Sequence, residues 1–372
     1  MKKNEIENII LDLEERTTKF INRNNDNNKK SSFLSRTIFY SKSFFSFIKL
    51  LFLINFNKKI SYKNFVFISS NFVTKKDNKN ITWLLNDVHI DNIVFINHSK
   101  ENNFRYINNF PVYNIGGVIK IVDKLLYRNN KLHIFYASKL INDLILKKIK
   151  SSVYTFCFYD INSLAVATSK YRKNFNFIEI QHGSIINYPP YEKEIAINIP
   201  NIYYVKNAET IHYLKNHLCK NKDGFKYNLL NKKNRVKKNS DKIQLLYASS
   251  LEVDGFHPVF IKFLKDNTIK NIHIIIRLHP REKHNLNKFK YEIIKYNISY
   301  HFDNSINWKE ENNYKNLIVI SPWSSIIEEA VDENINTIII DEIGKKRYSY
   351  LLQNSLCKYT NNLEKEIKNI IK

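Results

Sequence analysis

The pattern of apolar and polar positions changes period several times along this chain. Near the start, Ile6, Ile9, Ile10, Leu13 and Phe20 recur at roughly helical spacing before an Asn- and Lys-rich stretch, which predicts a short helix, a linker and no signal-peptide core. The run KSFFSFIKLLFLIN is the most apolar, but Lys49 interrupts it and leaves Leu50–Ile54 far short of the ~20 residues that span a bilayer. No transmembrane helix is expected there. The run reads either as a buried helix of the first domain or as an interfacial helix, since Lys42, Lys49, Lys58 and Lys59 flank aromatic bulk.

From residue 61, short β-branched or aromatic runs alternate with helical patterns: NFVFIS (64–69), NIVFIN (92–97), SVYTFCF (152–158), FNFIEI (175–180) and NIYYV (201–205), with the helix-like INSLAVATSKY (161–171) between the third and fourth. Continuously apolar strands alternating with helices predict a parallel sheet covered on both faces. The apolar rhythm is lost over 221–242 (NKDGFKYNLLNKKNRVKKNSDK), the best linker in the chain, and then restarts. Strands are predicted at IQLLYAS (243–249), NIHIIIRL (271–278), NLIVIS (316–321) and NTIIID (336–341), with helices from Pro258, across 282–295 and from Ser324. The expected architecture is α/β: a helical extension over 1–60, a Rossmann-like domain over 61–230, and a second over 240–372 whose last helix packs back toward the first, with a cleft between the domains.

Composition narrows the chemistry. With 43% apolar and 14% aromatic residues the chain can bury two cores, so it is not a disordered basic tail. Its three cysteines, Cys157, Cys219 and Cys357, form no CxxC, which excludes a cysteine zinc site and a disulfide scaffold. Six glycines, at 116, 117, 183, 224, 255 and 344, cannot write GxGxxG or GxxxxGK[ST]. The net charge of +24 is partly a by-product of the heavy use of Asn, Ile and Lys expected of an AT-rich genome.

Three segments fall where doubly wound sheets hold ligands, at strand carboxyl ends. In Gln181-His182-Gly183, glycine allows a sharp turn and His182 offers an imidazole as a base or phosphate ligand near neutral pH. In Arg277-Leu278-His279-Pro280, Pro280 ends sheet pairing and leaves His279 at the strand tip, on the face shared with Arg277, a cradle for a phosphate. In Ser321–Ala330, Ser324 is expected to cap a helix and Glu328 lies at capping-box distance from Ser325, so hydroxyls and free amides can meet an anion.

QHG in the first domain, then [KR]xHP, then a strand–SxxSS–helix resembles the GT-B glycosyltransferases of bacterial surface polysaccharides. Within that group the likeness is to enzymes with cytidine-nucleotide donors: sialyl- and polysialyltransferases, Kdo capsule transferases, and CDP-glycerol or CDP-ribitol phosphotransferases. The resemblance implies that His279, Ser324 and Ser325 hold the nucleotide phosphate and ribose. Ser249 and Ser250, after the first strand of the second domain, join that donor-binding set, and Gln181 and Gly183 lie on the acceptor side. The paired-acid-then-glycine motif that supplies the base in those sialyltransferases is missing from the first domain; Glu252-Val253-Asp254-Gly255 is similar but stands in the second. The catalytic base is therefore His182 or Asp160, with Asp87 and Asp91 behind them.

No DxD motif occurs, so a metal-independent, inverting transfer without cofactor is expected. The expected partners are a nucleotide-activated sugar, an oligosaccharide or lipid-linked acceptor and the anionic inner-membrane surface, with a cytoplasmic, peripheral location. The rival class, a nucleic-acid-binding protein, has pI ≈ 9.6 and interleaved aromatics in its favour. Against it, the charge is spread along the whole chain and no zinc-finger, RNP or basic-helix pattern appears.

Overall fold

The computed structural model describes residues 3–20, 33–57, 63–68, 92–98, 106–107, 110–127, 132–181, 185–195, 197, 199–220, 224–229, 239–250, 255–305, 308, 312 and 314–371. The chain divides into two compact units, Met1–Asn231 and Lys232–Lys372.

Unit 1 begins with helices α1 (Lys3–Phe20) and α2 (Phe33–Phe56). Strands β1 (Asn64–Ile68), β2 (Ile93–Asn97), β3 (Tyr106–Ile107) and β4 (Phe110–Asn114) follow, then α3 (Gly116–Val122) running into a wide turn, Asp123–Tyr127. After α4 (His133–Leu146) come β5 (Ser152–Thr155), α5 (Ile161–Ala167), β6 (Asn176–Ile180), the 3-10 turn Pro189–Tyr191, β7 (Ile202–Val205), α6 (Ala208–Asn216) and β8 (Lys226–Leu229). The sheet order is β3-β4-β2-β1-β5-β6-β7-β8, parallel except for the β3–β4 pair. The strands are apolar at consecutive positions because both faces are covered. Phe65, Phe67, Val94, Ile96, Val153 and Phe177 face one core with α2 and α4, while Val66, Ile68, Phe95, Tyr154 and Ile178 face the other.

Unit 2 has β9 (Ile243–Ala248), α7 (Pro258–Asp266), β10 (Ile272–Arg277), a 3-10 turn Pro280–Asn285, α8 (Leu286–Ile294) and β11 (Ser299–Phe302). It continues through β12 (Leu317–Ser321), α9 (Ile326–Asp332), β13 (Asn336–Ile339), α10 (Glu342–Arg347), α11 (Ser349–Gln353), β14 (Lys358–Tyr359) and α12 (Leu363–Ile371). All pairs are parallel, in the doubly wound order β11-β10-β9-β12-β13-β14.

Four expectations change. The expected linker contains a strand: β8 pairs with β7 at the sheet edge, and its exposed, polar side chains disguise it. The strand SVYTFCF stops at Thr155, after which the chain turns into α5. The apolar run does not break at Lys49: α2 is one helix whose Thr37–Phe56 stretch is, by length and composition, apolar enough to cross a membrane. One side of α2 nevertheless belongs to the unit 1 core, through Phe47, Leu50 and Ile54, so it is no appended extension. The apolar face of α12, expected to pack toward the first domain, is buried within unit 2, where Leu363 and Ile367 join the core beneath α7.

Candidate functional site

In unit 2 the strand order reverses between β9 and β12, and β10 lies beside β9, so the carboxyl ends of these three strands meet at one edge of the sheet. Leaving β9, Ser249 is buried; its Oγ accepts the His279 amide at 2.8 Å and donates to the Glu282 carboxylate, itself buried. The Glu282 amide in turn donates to the His279 carbonyl at 2.8 Å. His279 is thereby held at the tip of β10 by its own backbone, and Glu282 from the Pro280–Asn285 turn locks that turn under β9. Ser250 Oγ is buried and finds no partner among the described residues. A buried hydroxyl without a partner costs about 1–3 kcal/mol, so a polar ligand there would relieve it.

Arg277, the last residue of β10, directs Nη1 to Asp303 Oδ2 at 2.7 Å and to the Ser305 carbonyl at 2.9 Å. It ties the ends of β10 and β11 together with at least one arm of its guanidinium. From β12, Ser321 Oγ donates to the Ala248 carbonyl at 2.8 Å, which joins the ends of β12 and β9. The helix cap differs from the expected one. Ser325, not Ser324, is the N-cap of α9 and makes no side-chain capping bond, while Ser324 Oγ accepts the Ile326 amide at 3.5 Å. Glu328 does not close a capping box, because its buried carboxylate accepts the Tyr350 hydroxyl at 2.7 Å. Both serines are half-buried at the sheet edge. The Pro322–Ser325 loop is seated on α10: the Arg347 guanidinium lies 4.7 Å from the Trp323 ring, and Gly344 approaches so closely that a Cβ there would sit 2.0 Å from the Pro322 carbonyl oxygen.

The sequence contains a second His-Pro pair, His257-Pro258, whose role differs. His257 caps α7, its Nδ1 accepting the Val259 amide at 3.2 Å, so the proton sits on Nε2, which faces Asp341 Oδ2 at 3.3 Å. A helix reading that begins at Pro258 signals this cap; nothing in the linear sequence announces Asp341 or Glu282 as partners.

In unit 1 the strand order reverses between β1 and β5. A small hollow opens there, lined by Phe67, Ile68, His98, Thr155, Cys157, Asp160 and Ser163. Asp160 caps α5 through the Asn162 amide at 2.9 Å, and its burial raises the carboxyl above the ordinary range. His98 was not legible in the sequence, where it only follows the run NIVFIN. It is buried, stacked on Phe67 with ring centroids 5.2 Å apart, and burial lowers its pKa to about 4. Ser138 Oγ donates to Asn162 Oδ1 at 2.8 Å and accepts from Asn142 Nδ2 at 3.1 Å, so Asn142 Oδ1 accepts a hydrogen bond from His98 Nε2 at 3.2 Å. One strand further along the edge, after β6, Gln181 is buried and its Oε1 accepts the Lys206 amide at 2.8 Å. His182, Gly183, Asp87, Asp91 and the EVDG acids Glu252 and Asp254 lie outside the described residues. Glu179, at the end of β6, is a buried carboxyl that accepts the Tyr191 hydroxyl, and burial pushes its pKa up to about 8.

Against known proteins, no family model matches the chain, and no curated protein matches it. Among solved structures, S. aureus MnaA in its UDP co-structure is similar over 84% of this chain and 88% of its own, at 10% identity and a TM-score of 0.50. The fold is GT-B-like. Neisseria meningitidis UDP-GlcNAc 2-epimerase, bound to UDP-GlcNAc, is 11% identical over 83% of this chain and 91% of its own, with a TM-score of 0.47. Acinetobacter baumannii MurG is 8% identical over 83% and 90%, with a TM-score of 0.44. At such identities the likeness concerns architecture, and the GT-B-like assignment agrees with two parallel sheets of Rossmann-like order.

Proposed function

We propose that this chain is a nucleotide-sugar-dependent glycosyltransferase whose donor is held at the carboxyl edge of the unit 2 sheet. The supporting observation is the convergence there of Ser250, with its unpartnered buried hydroxyl, His279, fixed through Ser249 and Glu282, and the half-buried Ser324 and Ser325, from three adjacent strands. Such a set offers hydroxyls and an imidazole to phosphate and ribose oxygens, and its hydrogen bonds strengthen as the leaving phosphate gains charge. Arg277, expected to cradle the phosphate with His279, is instead ion-paired with Asp303 and braces the ends of β10 and β11. Within this reading the donor is a CMP-linked sialic or related ulosonic acid and the product a bacterial capsule or lipopolysaccharide glycan. Transfer of a polyol phosphate from CDP-glycerol or CDP-ribitol is the alternative.

The acceptor side falls to unit 1, with Gln181 and Gly183 beside His182, and with His182 or Asp160 taking the proton of the attacking hydroxyl. The raised pKa of Asp160 suits a base that must hold a proton after attack.

The test is a donor panel of CMP-, CDP-, UDP- and GDP-linked sugars, followed by thermal stability and donor hydrolysis. One of them should stabilise the parent. His279→Ala, or Ser324→Ala with Ser325→Ala, should weaken that binding by roughly 1–3 kcal/mol with little change in melting temperature without ligand. Variants that bind every nucleotide as the parent does would remove the site.

A further inference from the structure

Helix α2 is apolar on two opposite faces, of which unit 1 covers one. Phe47, Leu50 and Ile54 lie in the core, and Ser43, on the same face, donates to the Asn114 carbonyl at 3.0 Å while accepting the amides of Gly117 and Val118 at 3.0 and 3.2 Å. Half a turn away, Ile38, Phe45 and Phe52 recur at seven-residue spacing and Phe56 follows one turn on, so the four form one stripe. They are exposed by 45%, 71%, 59% and 74%, and the Phe52 and Phe56 rings lie 4.6 Å apart. Beside the first half of α2, Lys124 sits 5.9 Å over the Tyr40 ring, and the next two residues, Leu125 and Leu126, are exposed by 76% and 64%. Contiguous apolar surface of this kind normally meets a partner or a membrane.

Charge identifies the occupant. Between residues 33 and 63 the chain carries Arg36, Lys42, Lys49, Lys58, Lys59 and Lys63 and no Asp or Glu. Lys42 and Lys49 are exposed beside the apolar stripe, and Lys124 is exposed over Tyr40. A second copy, also at +24, would bring like charge to that face. An anionic bilayer supplies both the apolar interior and the counter-charge. Because Ser43 and the core residues bind the opposite face to α3 and β4, the helix is held in the surface plane rather than across the membrane.

We propose that α2 and the Asp123–Tyr127 turn form a docking face for an anionic phospholipid bilayer, with Phe45, Phe52 and Phe56 entering the boundary between headgroups and acyl chains and Lys42, Lys49 and Lys124 at the phosphate level. This rests on unit 1 alone and stands or falls separately from the glycosyltransferase reading.

The experiment uses the full chain and vesicles of phosphatidylcholine with or without phosphatidylglycerol. The parent should co-sediment with the anionic vesicles, less so at high salt. Phe45→Ser with Phe52→Ser should weaken binding roughly tenfold or more at unchanged melting temperature, since both side chains are exposed. Phe52→Trp should add indole fluorescence that brominated acyl chains quench. No binding by the parent, undiminished binding by the double variant, or an unquenched indole overturns the proposal. So does a parental dimer that the double variant converts to monomer, because a second copy would then be the occupant.

Discussion

Glu179 and His98 are buried titratable groups whose effects on stability run in opposite directions with pH. Burial raises the Glu179 carboxyl from 4.5 to about 8, so between those values the folded protein keeps a proton that the unfolded chain has released. Stability from this site is therefore present below pH 4.5 and lost as pH rises toward 8. Glu179→Gln should remove that slope, and its melting temperature relative to the parent should rise by about 3–8 °C between pH 5 and pH 8. His98 drops from 6.5 to about 4, so as pH falls through that window the unfolded chain takes up a proton that the native state refuses. Stability from this site is lost toward acid, and His98→Gln should flatten that limb in melting curves from pH 7 to pH 4. At the same scale the two His-Pro pairs look alike in sequence, yet His257 has both ring nitrogens engaged by Val259 and Asp341 whereas His279 is fixed through its backbone amide. The difference arises from Ser249 and Asp341, which lie 30 and 84 residues away.

Among the elements, two glycines record where pieces must approach closely. A Cβ on Gly117 would lie 2.7 Å from the Ser43 Cβ, where α3 meets α2. Gly117→Ala should cost about 1–3 kcal/mol in urea unfolding, because the helices must separate or Ser43 must abandon its bonds. At Gly344 the obstacle is the Pro322 carbonyl at 2.0 Å, a backbone atom that can move only with its loop. Gly344→Ala should therefore destabilise unit 2 by a similar or larger amount, about 2–4 kcal/mol. It should also lower affinity for the nucleotide identified in the donor panel, because Ser324 and Ser325 ride on that loop. Isothermal titration beside urea midpoints separates the two effects; intact affinity in a folded Gly344→Ala would detach the serines from the site. Most buried strands were legible as elements because covering both faces demands unbroken apolar runs such as NIVFIN and NLIVIS, but β4, broken by Pro111 and ending in Asn114, was not. Edge strands were not: β11 alternates exposed His301 and Ser299 with half-buried Tyr300 and Phe302, and β8 is more exposed still. A strand facing water on one side looks, in one dimension, like a loop.

For the molecule as a whole, the charge of +24 opposes compaction whatever its genomic origin. Exposed charges are screened within about 8 Å at physiological ionic strength. Raising salt from a few millimolar to that level should lift the melting temperature by about 2–6 °C, read with a non-binding salt such as sodium chloride. A flat response would mean that the excess cations stand too far apart in the folded state to repel one another measurably.

The sequence alone determined that two parallel α/β sheets would form and, for β6, β9, β10 and β12, which residues would stand at their carboxyl ends. Apolar strand runs, the linker charge and the residues ending each strand are local properties, and strand-end positions follow from them. What only the tertiary structure decided is which of those strand ends adjoin and what their side chains touch. Ser249 meets His279 because β9 and β10 pair in register, Tyr247 against Ile276 and Ala248 against Arg277. Arg277 is engaged by Asp303, and His98 reaches the hollow of Asp160, through neighbours distant in sequence. The two faces of α2 show the same division: its composition announced an apolar helix, but only packing against α3 and β4 assigned Phe47 and Leu50 to the core and left Phe45 and Phe52 outside. Hydrophobic period fixes which residues share a face, whereas burial of that face depends on what the rest of the chain places against it.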